Sequence, residues 1–117
     1  MRIAVGTMMG TSMDAVDAAA VAIEGSGLAM AVEMVDHASL PLADLADALR
    51  PIAAGGGGGE AVLADLAVRI GRLHAEVIAA LDLPGPPDLV ALHGQTLRHA
   101  PPLALHLIDP TPVGQLV

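Results

Sequence analysis

The spacing of apolar residues changes period along this chain, and each change marks an element. Residues 3–7, IAVGT, form a short apolar run that predicts a buried strand, and DAAAVAI at 17–23 predicts a second. GSG at 25–27 is a turn signal. LAMAVEMVDH at 28–37 reads as a third strand on its length and its Val and Met content. Three strands with tight connections make an antiparallel meander. From Pro41 the period becomes helical: Leu42, Leu45, Leu49 and Ile52 lie at steps of three and four. GGGGG at 55–59 breaks any helix, because glycine loses the most backbone entropy on ordering. Beyond it Leu63, Leu66, Ile70, Leu73, Val77 and Leu81 form the clearest stripe in the chain. Glu60, Asp65, Arg69, Arg72 and Glu76 fall mainly off it, which predicts an amphipathic helix over 60–81 with one face on a sheet. PGPP at 84–87 ends that helix. DLVALHG at 88–94 predicts a buried strand running into a polar turn, LALHLID at 103–109 is a further candidate strand, and PTPVGQLV follows with no capping element.

The order is β-β-β-α-β-(β). An antiparallel β-meander followed by a helix and a parallel strand predicts an α/β fold, the opening of a ribonuclease-H-like half-domain. A chain of 117 residues holds one domain at most and builds a thin core. Without Phe, Tyr or Trp, that core rests on Leu, Val, Ile, Ala and Met. Lys, Asn and Cys are absent as well, and all favoured residue types have GC-rich codons, a genomic bias. The net charge of −8 argues against nucleic acid and against anionic membrane surfaces as partners. Absence of cysteine removes disulfides, a thiol nucleophile and cysteine-based zinc sites. No apolar run reaches about 18 residues, and the N-terminus lacks a signal-peptide pattern, so the expected location is cytoplasmic.

The candidate chemistry sits between the first two strands. Gly10 admits a close backbone approach, successive amides in a tight turn make an anion nest, and Thr11 and Ser12 add hydroxyl donors. Asp14 and Asp17 would repel a bare triphosphate, so beside one they imply Mg²⁺, held directly or through its waters. The alternative is an ordinary polar hairpin, since Gly, Ser, Thr and Asp are also the usual turn residues. The glycine run carries no Lys or Ser/Thr behind it and is a loop, and with no lysine in the chain there is no Walker motif.

GTMMGTSMDAVDAAAVAI at 6–23 resembles the N-terminal signature of the anhydro-N-acetylmuramic acid kinases, M-S-G-T-S-x-D-G-x-D-A-A-L-V. HGQTLRHAP at 93–101 resembles their H-G-Q-T-x-x-H-x-P, and LALHLIDP at 103–110 their T-L-Q-I-G-D-P. The match covers essentially the whole chain but about the first third of the family's length. It implies an actin-like ATPase (sugar-kinase) fold of two ribonuclease-H-like domains, of which residues 1–117 are part of the N-terminal one and the C-terminal one is absent. It implies a kinase that hydrolytically opens 1,6-anhydro-N-acetylmuramic acid and phosphorylates the 6-oxygen with ATP and Mg²⁺, in the recycling of cell-wall amino sugars. On this resemblance the ATP phosphates fall to Gly10, Thr11, Ser12, Met13, Asp14, Ala15, Val16 and Asp17, with Mg²⁺ at Asp14 and Asp17. Gln95, Thr96 and His93 fall near the sugar. The sequence departs from the family at Met9 (Ser), Ala15 (Gly), His106 (Gln) and Ile108 (Gly). If position 15 takes a positive φ, its Cβ costs roughly 1 kcal/mol.

Taken without the resemblance, His93-Gly94-Gln95-Thr96 is either a ligand-facing turn at the carboxyl end of a strand or a plain polar turn with His93 capping it. His93, His99, His106 and Asp109 match no metal-ligand spacing. His74 lies beside the helical stripe and reads as a packed or half-exposed residue, and the methionines as core filler. No residue here matches the family's general base, so no catalytic residue is assigned. Alone, the chain is expected to bind ATP weakly at best, to phosphorylate no sugar and to self-associate. The alternative reading is a small acidic, non-catalytic binding domain with the same fold.

Overall fold

Alternation through Arg2–Met9 sets Ile3, Val5, Thr7 and Met9 on one buried face of strand β1 and leaves Arg2, Gly6 and Met8 exposed. In this computed structural model, which describes residues 1–10, 12–55, 59–100 and 103–116, β1 is the centre of the sheet. β2 (Ala15–Glu24) pairs antiparallel with β1, and β3 (Ala31–Pro41) pairs antiparallel with β2. A single 3-10 turn at Gly27–Ala29 precedes β3. Helices α1 (Asp44–Ala53) and α2 (Glu60–Ala79) then lead to β4 (Leu89–Ala100), which runs parallel to β1. β5 (Leu103–Leu107) returns antiparallel to β4, and the order across the sheet is β3-β2-β1-β4-β5. The chain is therefore a mixed α/β unit with the expected meander, helix and parallel strand.

Strand ends and the C-terminus differ from the sequence reading. The third strand begins at Ala31 and runs to Pro41, and the last segment forms a short helix, α3 (Thr111–Leu116). Asp109 leads into it through an Asx-turn: its Oδ1 accepts from the Thr111 N–H at 3.0 Å, while the Pro110 carbonyl accepts the first helical bonds. Hydrogen bonds from Thr111 hold the Asp109 carboxyl below the usual range. Asp88 fixes the crossover: its Oδ2 accepts from Ile3 N–H at 2.7 Å while its own N–H donates to the Ile3 carbonyl at 2.8 Å.

The core lies on the face of Val5, Met9, Val16, Ala18 and Ala20, against Leu45 and Leu49 of α1 and Leu66, Ile70, Val77 and Ile78 of α2. Close packing at the helix–sheet edge depends on Gly71. A Cβ there would sit 1.9 Å from the Asp109 carbonyl oxygen, because Asp109 N–H donates to the Ala67 carbonyl on the same turn of α2. The opposite face of the sheet carries Met8, Val32, Met34 and Leu89, each more than half exposed. The radius of gyration of 15.6 Å exceeds the about 13 Å of a compact chain of this length. Residues 31–34 are all exposed, so the β2–β3 ribbon extends past the helical cover. No helix among the described residues is long and apolar enough to cross a membrane.

Candidate functional site

The turn between β1 and β2 is shorter than the sequence suggested. Met9 pairs with Val16, so Ala15, Val16 and Asp17 belong to β2 and the loop is residues 10–14. The reason is alternation: Val16 and Ala18 point into the core, which draws the backbone on either side of them into the sheet. Met13 N–H donates to the Gly10 carbonyl at 3.2 Å and closes a tight turn. Positive φ falls on Met13, at 57°, and not on Ala15, so the Ala for Gly exchange carries no backbone strain. The strained residue is anchored: Met13 is 5% exposed and belongs to the core cluster. Between these anchors Ser12 and Asp14 face solvent. Thr11 lies outside the described residues.

Gly10 is not required by the fold. Among the described residues a Cβ there would meet only the Ser12 hydroxyl oxygen, at 3.8 Å. What the missing Cβ leaves is an open approach to the backbone beside the Ser12 hydroxyl, with the exposed Asp14 further along the same loop. That donor set suits a phosphate with Mg²⁺, the hydroxyl and amides toward the anion and the Asp14 carboxylate toward the cation.

His93, Gln95 and Thr96 lie within β4, not in a turn beyond it. Met8 pairs with His93 and Met9 with Gln95, so Gly94 is an extra residue, a β-bulge. Gly94 is buried, and a Cβ on it would stand 2.6 Å from the Leu107 carbonyl oxygen. His93 is exposed and Thr96 half-buried. Gln95, expected at a sugar, is fully buried. Its Nε2 donates to the carbonyls of Gly10 and Thr96, both at 3.1 Å, and among the described residues its Oε1 has no partner.

The two aspartates diverge. Asp14 Oδ1 lies 3.9 Å from the Arg50 guanidinium on α1, both groups largely exposed. Asp17 points to the helix-free face, into a groove of about 300 Å³ that also holds Gly6, Met8, His37 and Ser39. Among the described residues no group of three or more His, Asp or Glu is arranged to hold a metal ion. Beneath β1, His74 of α2 is fully buried and its Nδ1 lies 2.7 Å from the Thr7 hydroxyl, with Nε2 unpartnered among the described residues. Burial, and then the nearby His93, push the His74 imidazole down to about 4. The sequence reading missed this buried pair, although His74 is four residues after Ile70 and three before Val77, on the packed stripe itself.

A family model described as anhydro-N-acetylmuramic acid kinase matches residues 2–113. The chain belongs to the anhydro-N-acetylmuramic acid kinase family. Curated relatives carry that name. The one from Acidithiobacillus ferrooxidans is 41% identical over 99 residues, covering 82% of this chain and 24% of the relative. That of Streptomyces coelicolor is 40% identical over 103 residues, covering 81% and 25%. That of Bacillus cereus is 28% identical over 112 residues, covering 91% and 29%. The chain thus spans about a quarter of the length of these anhydro-N-acetylmuramic acid kinases.

Proposed function

We propose that residues 1–117 form the phosphate-binding wall of an ATP-dependent kinase that opens 1,6-anhydro-N-acetylmuramic acid and phosphorylates its 6-oxygen. The observation that carries this is the 10–14 turn. It is held by the buried Met13 side chain and leaves an open backbone at Gly10 beside Ser12 and Asp14. On this reading the turn amides, Ser12 and Thr11 hold the phosphates of ATP, with Met13 and Val16 contributing backbone only. Asp14 holds Mg²⁺ or its waters, and Asp17, on the other face, acts through water. Mg²⁺ neutralises phosphate charge during transfer. His93 and Thr96 are the residues nearest the sugar, and Gln95 stands behind them. The fold is a ribonuclease-H-like half-domain of the actin-like ATPase type, and the compartment cytoplasmic.

On this reading the chain is one wall of a cleft, and the 117 residues alone are expected to phosphorylate no sugar. Exposed Met8, Val32, Met34 and Leu89 favour self-association, which sedimentation at several concentrations measures. To test the function, residues 1–117 replace the matching quarter of the Acidithiobacillus ferrooxidans relative. Mg–ATP-dependent phosphorylation of the anhydro sugar should fall within about tenfold of the relative's own rate, some 1.4 kcal/mol of barrier. A folded graft that forms no product contradicts the proposal.

A further inference from the structure

Gln95 reaches its position through the bulge. Along β4 the residues 89, 91 and 93 are exposed, on the helix-free side, and unbroken alternation would put residue 95 there too. The extra residue Gly94 reverses the phase and turns Gln95 inward. There it meets the end of β1, and its Nε2 donates to the Gly10 carbonyl. That carbonyl also accepts from Met13 N–H, so both of its lone pairs are used. Two carbonyls around Nε2 fix which end of the amide is which, because the reverse orientation would set oxygen against oxygen.

Packing alone does not account for an amide at this place. Among the described residues the buried Oε1 has no partner, and an apolar side chain of the same length would fill the space without that cost. The donors are what distinguish Gln95 from such a side chain, and one of them holds the first carbonyl of the loop. A peptide free to flip at Gly10 would turn its carbonyl oxygen outward, toward an incoming phosphate, and repel it.

We infer that Gln95 is a positioning residue: through the Gly10 carbonyl it holds the 10–13 turn in its anion-accepting form and links the β1 and β4 ends of the site. The consequence for nucleotide binding rests on the phosphate reading above. The tie itself does not, and is tested in the ligand-free chain. In a labelled sample of the 117-residue protein, the Gln95 side-chain protons should exchange slowly and show a coupling across the hydrogen bond to the Gly10 carbonyl carbon. Gln95→Met should raise Met13 amide exchange about tenfold and weaken the short HN–Hα contact that its positive φ produces, while Val5 and Thr7 amides keep their protection. A role in stability alone would instead move the urea midpoint and all β1 amides together. With Mg–ATP added, the same variant should reduce apparent affinity about tenfold at Gly10, Ser12 and Asp14. The inference falls if Met13 exchange is unchanged in folded Gln95→Met. If that variant does not fold, wild-type Gln95 side-chain protons that exchange like those of a free glutamine overturn it. Should Mg–ATP leave the wild-type turn unperturbed, the phosphate reading fails, and the Met13 and Gln95 measurements still decide the tie.

Discussion

His74 makes the stability of this fold depend on acid in a defined window. In the unfolded chain its imidazole protonates at the ordinary 6.5, whereas in the folded chain burial and the neighbouring His93 delay protonation to about 4. Between those values the unfolded state binds the extra proton, so stability rises with pH across the window and is lost as pH falls through it. The interval corresponds to about 3 kcal/mol, at about 1.4 kcal/mol per pH unit. Against a total of about 5–15 kcal/mol for an ordinary domain, that is a large fraction. Lacking Trp and Tyr, the chain has to be followed by far-ultraviolet circular dichroism during urea unfolding, at steps from pH 7.5 to 4. The unfolding free energy should be level above about pH 6.5 and fall below it. His74→Phe, which keeps a ring in the same space beside Thr7, should be less stable at pH 7.5 yet nearly level over the window. The low-lying carboxyls of Asp36 and Asp109 act below their ordinary 3.8 and leave the window clear. A wild-type slope that persists in His74→Phe would refute the assignment.

Three further expectations concern packing and the turn. Gly71→Ala forces a methyl to within 1.9 Å of the Asp109 carbonyl oxygen and should cost several kcal/mol by urea unfolding, whereas Gly10→Ala should leave the midpoint unchanged and weaken Mg–ATP binding. Ile70→Asp places an unpaired charge at a fully buried site and should abolish the folded circular dichroism signal; an unchanged melting temperature would disprove the packing of α2. Asp14→Asn should shift the Mg²⁺ dependence of ATP binding more than Asp17→Asn, since the two side chains face opposite sides of the sheet; equal shifts in a magnesium titration would count against Asp14 as the cation's partner.

Much of the architecture was legible because periodicity reports burial directly. The helix expected over 60–81 followed from spacing and the strand expected over 88–94 from its apolar run; α2 ends at Ala79, and β4 starts at Leu89 but runs on to Ala100. The packed stripe is rotated from the one the leucines outlined. Leu66, Ile70, His74, Val77 and Ile78 are buried, while Leu63 and Leu73 lie at the margin. An amphipathic pattern counts leucines, but the sheet beneath selects the side that fits, and a neutral histidine bonded to Thr7 fits there. At 93–96 the polar residues behind Gly94 read as a turn. They are strand residues whose phase a bulge has reversed, and a period-two pattern cannot register that reversal. Strain at Met13 was equally hidden, because its cause is the core pocket that receives its side chain. Asp14 and Asp17 looked like one cation site, three positions apart. Once β2 begins at Ala15, alternation separates them.

The most direct test of the phosphate turn is a Mg–ATP titration of the 117-residue chain followed at each backbone amide. One wall of a cleft should bind weakly, with a Kd of about 1 mM, equivalent to about −4 kcal/mol. Shifts are expected to concentrate at Gly10, Ser12, Met13 and Asp14, to require Mg²⁺, and to be lost in Gly10→Ala with the fold intact. Saturable shifts centred elsewhere, or none at these amides while the chain remains folded, would contradict the account.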